Sequence, residues 1–158
     1  KNLKIFLSDE RCVNLDSENS NSFQFRKYFK KTSENISLNL PNNNNKSDWY
    51  KVAKDYEESY PEKVDAVILS LAEDGHIASI WPNYCVKETS SFHVVPSKYT
   101  KGPFKRMSIT LKAINLCNTK VLLVLGRKKN LLLKSILRKK KHPINKIKDL
   151  VIFADKTF

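Results

Sequence analysis

No apolar run in the 158-residue chain exceeds five residues; the longest is Val121 to Leu125. A bilayer-crossing helix needs about 20, so this sequence encodes none. Cysteine is scarce as well. Cys12, Cys85 and Cys117 are far apart, odd in number, and form no C-x-x-C pair. That spacing argues against a disulfide framework and a thiolate zinc site. It fits a reducing, cytoplasmic compartment. The opening Lys1-Asn2-Leu3-Lys4-Ile5-Phe6-Leu7 lacks the pattern of a signal peptide and reads as a strand. A strand at the very end of a chain needs neighbours, so the expectation is a chain lacking an N-terminal part. Acidic residues nearly vanish from the second part of the chain. Residues 98–158 hold 17 Lys+Arg and 2 Asp+Glu, a net of +15. Residues 1–97 hold 12 and 14, a net of −2.

What remains suits a soluble globular chain. Hydrophobic residues make up 41% and charged residues 28%, outside the range of disordered segments. The length matches one domain spanning residues 1–158. The basic half points to an anionic partner: nucleic acid, a membrane surface or a phosphorylated small molecule. Compositional drift at the surface explains the excess equally well, since Lys outnumbers Arg 24 to 5 and Asn occurs 15 times.

Along the chain, strand and helix patterns alternate. Leu3–Leu7 predicts a buried strand, and Ser8–Ser22 a polar loop. Phe25, Tyr28 and Phe29 predict a helix over Phe23–Lys31. Thr32–Lys46, with Asn42 to Asn45, predicts an exposed or poorly ordered loop. Ser47 can cap a helix through Tyr60, ended by Pro61. Val64–Leu71 predicts a strand buried on both faces. Phe92–Val95, Met107–Leu111, Lys120–Leu125 and Val151–Phe153 predict further strands, and Lys128–Leu137 a helix. Together these predict an α/β fold, a mostly parallel sheet with helices on both faces.

Ligands of such sheets bind outside the carboxyl ends of strands. Three strand ends carry dense polar clusters: Ser8-Asp9-Glu10-Arg11, Glu73-Asp74-Gly75-His76 and Gly126-Arg127-Lys128-Lys129. In the second, Gly75 permits positive φ. His76 can serve as a general base, with Asp74 to orient it, at the start of a short helix over Ile77–Ile80. An ordinary capped turn accounts for the same residues. In the third, Lys128 and Lys129 stand in the first turn of a helix, where the dipole disfavours cations by about 0.3–1 kcal/mol each. A bound phosphate reverses that sign. Lys101, Lys105 and Arg106 form another basic group before a strand. Lys139 to Lys141 read as a solvated face.

These segments resemble the 6-phosphogluconolactonases. Asp9-Glu10-Arg11 with Ser20-Asn21 is similar to the family's D-E-R-x-V…S-N, and Ala72 to Pro82 to G-x-D-G-H-x-A-S-L-F-P. Lys101 to Leu111 is similar to K-P-P-x-x-R-I-T-L, and Gly126 to Lys129 to G-x-x-K. The related glucosamine-6-phosphate deaminases follow D-G-H with A-F-N-E-P, which Ala78-Ser79-Ile80-Trp81-Pro82 does not match. The resemblance implies hydrolysis of 6-phospho-D-glucono-1,5-lactone in the pentose phosphate pathway, with no metal and no cofactor. It implies His76 as the base that activates water, and Asp9 and Asp74 as orienting groups. Arg11 would hold the lactone or its oxyanion, and Lys101, Arg106 and Lys129 the 6-phosphate. The implied partner is a small sugar phosphate, with neither nucleic acid nor membrane; since some family members are fused to a glucose-6-phosphate dehydrogenase, fusion to or association with that enzyme stays open.

Two departures stand against this. Ser70 and Ala72 replace family glycines, and the family's early Gly-Gly-Ser-Thr phosphate loop has no counterpart. A catalytically impaired lactonase-like domain with a structural or interaction role therefore stays open. So does a phosphate- or nucleic-acid-binding module, although the acidic strand ends and the lack of base-stacking motifs speak against it.

Overall fold

In the computed structural model, residues 2–29, 35–42, 48–84, 89–138 and 141–155 are described. The chain divides into two compact units, Lys1–Tyr60 with Phe92–Ser108 and Pro61–Ser91 with Ile109–Phe158. The fold is α/β with parallel sheets.

In the first unit, strand β1 (Leu3–Phe6) pairs in parallel with β3 (Ile36–Asn39). Strand β2 (Asp9–Arg11) runs antiparallel to β6 (Arg106–Ile109), which also neighbours β5 (Phe92–Val95). Helix α1 (Asn21–Phe29) packs on β2, and helix α2 (Trp49–Ser59) on β5. Asp48, not Ser47, caps α2, its carboxylate accepting from the Tyr50 and Lys51 amides. Ser47 itself lies outside the described residues. The helix buries Trp49, Val52, Ala53 and Tyr56, as its spacing predicts. The Tyr56 hydroxyl accepts from the Leu7 amide at 2.8 Å and donates to the Asn39 carbonyl at 3.0 Å. One phenol thus satisfies a backbone group just past β1 and another in the last residue of β3.

In the second unit, β4 (Ala66–Ser70), β7 (Thr119–Val124) and β8 (Leu150–Ala154) form a parallel sheet in that spatial order. Helix α3 (Leu111–Leu116) precedes β7, and α4 (Arg127–Leu137) follows and packs against it. The inward residues Val67, Leu69, Leu122 and Val124 are buried. Lys120 is buried too, its ammonium donating to the Cys117 carbonyl at 3.0 Å just past α3.

The structure departs from the sequence expectation in several places. Asp9–Arg11 is a strand because its central side chain, Glu10, is held inside by hydrogen bonds rather than by apolar burial. Ile36–Asn39 is a strand inside the expected loop; its alternation is too short to stand out. Helix α3 is only six residues long and is marked by Thr110, whose hydroxyl accepts the Ala113 amide. The β4 strand is buried on one face only: Val67 and Leu69 point in, while Ile68 is 65% exposed. Across β7, at the other edge of this sheet, Val151 and Phe153 of β8 are exposed as well. Of the Asn run, Asn42 is exposed and Asn43 to Asn45 lie outside the described residues. Lys139, Lys140 and Cys85 lie outside them too.

Candidate active site

The turn after β4 presents the first group of side chains. Its backbone closes through Gly75 N to Ala72 O and Ala72 N to His76 O, each 3.0 Å. Gly75 has φ +92°, the left-handed value that glycine tolerates. A Cβ there would also meet the buried His142 Nε2 at 3.1 Å. Ile77–Ile80 forms no helix. It is a tight turn in which Ile77 and Ile80 exchange backbone hydrogen bonds, with Ala78 at φ +47°. Ile77, Ser79 and Ile80 are buried, so the segment anchors the turn from within.

On this turn His76 Nδ1 lies 2.6 Å from Asp74 Oδ1. Trp81 Nε1 donates to the other oxygen, Asp74 Oδ2, at 3.2 Å. The Trp81 ring lies 4.5 Å from the His76 ring, centroid to centroid, with a 32° tilt. Burial alone raises the Asp74 carboxyl, but the charge and hydrogen bonds of His76 and the Trp81 bond outweigh it and hold the carboxyl below its ordinary value. The carboxylate is ionised at neutral pH and accepts from Nδ1. The neutral ring then carries its proton on Nδ1, leaving Nε2 to accept one.

Ser70 and Ala72 introduce no strain here. Among the described residues only Ala78 and Asp149 are non-glycine residues with positive φ. Ser70 is exposed on β4, and Ala72 is half-buried.

The second group stands on β2 and β6, in the other unit. Strand alternation puts Asp9 and Arg11 on one face and Glu10 on the opposite face. Glu10 is fully buried. It accepts the amides of Arg11, Asn21 and Ser22 at 2.6–2.7 Å and the Ser20 hydroxyl at 3.1 Å. On the Asp9 face, Arg11 Nη1 donates to Asn19 O at 2.8 Å and to Asn21 Oδ1 at 3.1 Å. Asn21 Nδ2 donates to Asp9 O at 2.9 Å. Arg106, opposite Arg11 in the register, reaches Asp9 Oδ2 at 3.6 Å. Burial lowers the Arg106 guanidinium from its ordinary value; Asp9 opposes this and Arg11 adds to it. The structure therefore brings Asp9, Arg11 and Arg106 together, and separately Asp74 and His76.

The remaining two basic residues stand on other segments. Lys101 is exposed in the loop before β6, and Lys129 is half-buried in the first turn of α4. That helix start carries an internal anion. Asp155 Oδ2 accepts the Gly126 amide at 2.8 Å, and Asp155 Oδ1 accepts from Asn130 Nδ2 at 2.7 Å. No group of three His, Cys, Asp or Glu side chains among the described residues could hold a metal ion.

Sequence reasoning assigned no role to Glu10, Asn21 or Trp81. The alternation of Asp9-Glu10-Arg11 was a usable signal for Glu10. The Trp81 contact was invisible because it depends on how the turn folds back.

The comparisons with known proteins agree on the kind of molecule. A 6-phosphogluconolactonase from Borreliella burgdorferi is 31% identical over 144 residues, 84% of this chain and 60% of the relative. The solved 6-phosphogluconolactonase of Thermotoga maritima is 26% identical with a TM-score of 0.72, over 94% of this chain and 70% of that one. That of Shewanella baltica shares the fold, with a TM-score of 0.82 at 22% identity, over 96% and 71%. The chain spans between 53% and 60% of the length of the curated relatives it matches. The sequence model of glucosamine-6-phosphate isomerases/6-phosphogluconolactonase matches residues 1–152, nearly the entire length, and with the D-G-H turn and the D-E-R strand formed as described, this chain belongs to that family.

Proposed function

We propose that the protein hydrolyses 6-phospho-D-glucono-1,5-lactone to 6-phosphogluconate, in the pentose phosphate pathway, without a metal. The observation that carries this reading is the 2.6 Å pair of His76 Nδ1 and Asp74 Oδ1, formed within the family motif.

A δ-lactone is an activated ester, so a water molecule and a base suffice. His76 Nε2 takes a proton from water, and the resulting hydroxide adds to the C1 carbonyl. Charge collects on the carbonyl oxygen, which Arg11 stabilises. The intermediate collapses, the C1–ring oxygen bond breaks, and the proton on His76 passes to the departing ring oxygen. A carboxylic acid and a hydroxyl are formed, the acid releases its proton to solvent to become the carboxylate, and the imidazole returns to its starting state. Asp74 holds the ring and balances the charge it gains during the transfer. Asp9 orients the guanidinium groups beside it. Lys101, Arg106 and Lys129 bind the 6-phosphate through charge-assisted hydrogen bonds.

The test is a lactonase assay on the full-length protein with freshly generated lactone, corrected for spontaneous opening and run with and without a chelator. Turnover that survives chelation supports the reading. No acceleration above background refutes it, and loss on chelation refutes the metal-free step.

A further inference from the structure

We propose that Trp81 is a positioning residue for the Asp74–His76 pair: its indole N–H fixes the second carboxylate oxygen while its ring backs the imidazole, so that the pair keeps one tautomer. The proposal rests on the reading of His76 as the base. A carboxylate held by one oxygen turns freely about its last torsion, whose preferences are broad. Asp74 is held by both: Oδ1 by His76 Nδ1 at 2.6 Å and Oδ2 by Trp81 Nε1 at 3.2 Å. The indole also lies along the imidazole, 4.5 Å between centroids, and blocks one side of any ring flip.

A tryptophan beside a sugar-phosphate hydrolase's base invites another role, a stacking platform for the substrate. Burial excludes it. Trp81 is 6% exposed, which leaves no face for a sugar ring. Its work is internal. Phenylalanine, which stands at this place in the motif that the segment resembles, offers the ring without the N–H. The bond to Oδ2 is therefore a property of Trp81 and not of the turn.

Trp81→Phe separates the two contributions. It should lower kcat about tenfold, the low end for losing a hydrogen bond to a charged acceptor, and leave KM unchanged. In 15N spectra, the unaltered protein should show His76 protonated on Nδ1 and bare on Nε2, and Trp81→Phe a mixture of tautomers. The unaltered protein supplies a further reading should the variant not fold. It has two tryptophans, so Trp49→Phe assigns the Trp81 indole proton, which should shift when Asp74→Asn is introduced. An indole proton indifferent to Asp74→Asn overturns the proposal. So does a folded Trp81→Phe protein with unchanged kcat and unchanged His76 tautomer. The spectra need no turnover, so an inactive protein would refute the lactonase reading while the Trp81 contact was still decided.

Discussion

Glu10 and Ser22 are joined by a 2.7 Å hydrogen bond from the Ser22 amide to the Glu10 carboxylate, with both residues fully buried. With the Asn21 amide at 2.6 Å, this makes Glu10 the N-terminal cap of α1, supplied from a neighbouring strand. Removing it leaves buried amides without an acceptor. Glu10→Ala should destabilise the protein by about 2–4 kcal/mol, read from urea unfolding midpoints. Glu10→Gln, which keeps one acceptor oxygen, should cost less. Equal stability of all three would show that the cap contributes nothing.

His76→Ala should lower lactonase kcat by roughly 10²–10⁴-fold, the usual contribution of a general base. Binding of 6-phosphogluconate, measured by calorimetry, should change far less. Activity near that of the unaltered protein would remove His76 from the mechanism.

Lys129→Ala should weaken 6-phosphogluconate binding by roughly 10- to 150-fold, as expected for a lost charged donor to phosphate. Lys141→Ala, on an exposed position, should do little. A nucleic-acid module ranks them otherwise: each lost Lys lowers polynucleotide affinity by a similar step and the salt slope by about one. Titrations with both ligands at several salt concentrations distinguish the two rankings.

Burial pushes His93 from 6.5 down to about 4. Between those values the unfolded chain binds a proton that the folded chain refuses. This contribution to stability is therefore full above about pH 6.5 and is lost as pH falls towards 4, at most about 3 kcal/mol. Unfolding midpoints of the unaltered protein and of His93→Gln should converge across that window. Parallel curves would contradict it.

The Cys12 thiol is pushed up to about 12, chiefly by burial and further by Glu10. Thiolate is the reactive form. Alkylation of Cys12 at pH 8 should be slow in the native protein and fast in denaturant, as peptide mapping by mass spectrometry would show.

The parts of the fold legible in the sequence were those written in apolar periodicity. Strands β1, β4, β5, β7 and β8 and helices α2 and α4 follow their patterns to within a few residues. What periodicity could not show was structure held by polar contacts. Strand β2 is charged at every position and exists because Glu10 finds four hydrogen-bond donors nearby; only its alternation hinted at that. The Ile77–Ile80 turn looked helical because its residues are helix-compatible, yet Ala78 adopts a left-handed conformation that no local pattern announces. The Asp74–His76 pair was legible from adjacency on a glycine turn. Trp81 as its third member was not, since seven residues separate Trp81 from Asp74 and only the folded turn closes the distance.

The Asp155 carboxylate acts as a built-in counter-ion at the start of α4. The Gly126 amide, which a phosphate could otherwise claim, is already spoken for, and part of the positive end of the helix is neutralised from within the chain. On the proposed reading, a dianion arriving there would find the Gly126 amide occupied, and more of its recognition would fall to whole charges on ammonium groups such as that of Lys129. Recognition of this kind trades geometric selectivity for reach: it tolerates differences in how a phosphate is presented, and it fades with rising ionic strength more steeply than a cradle of amides would.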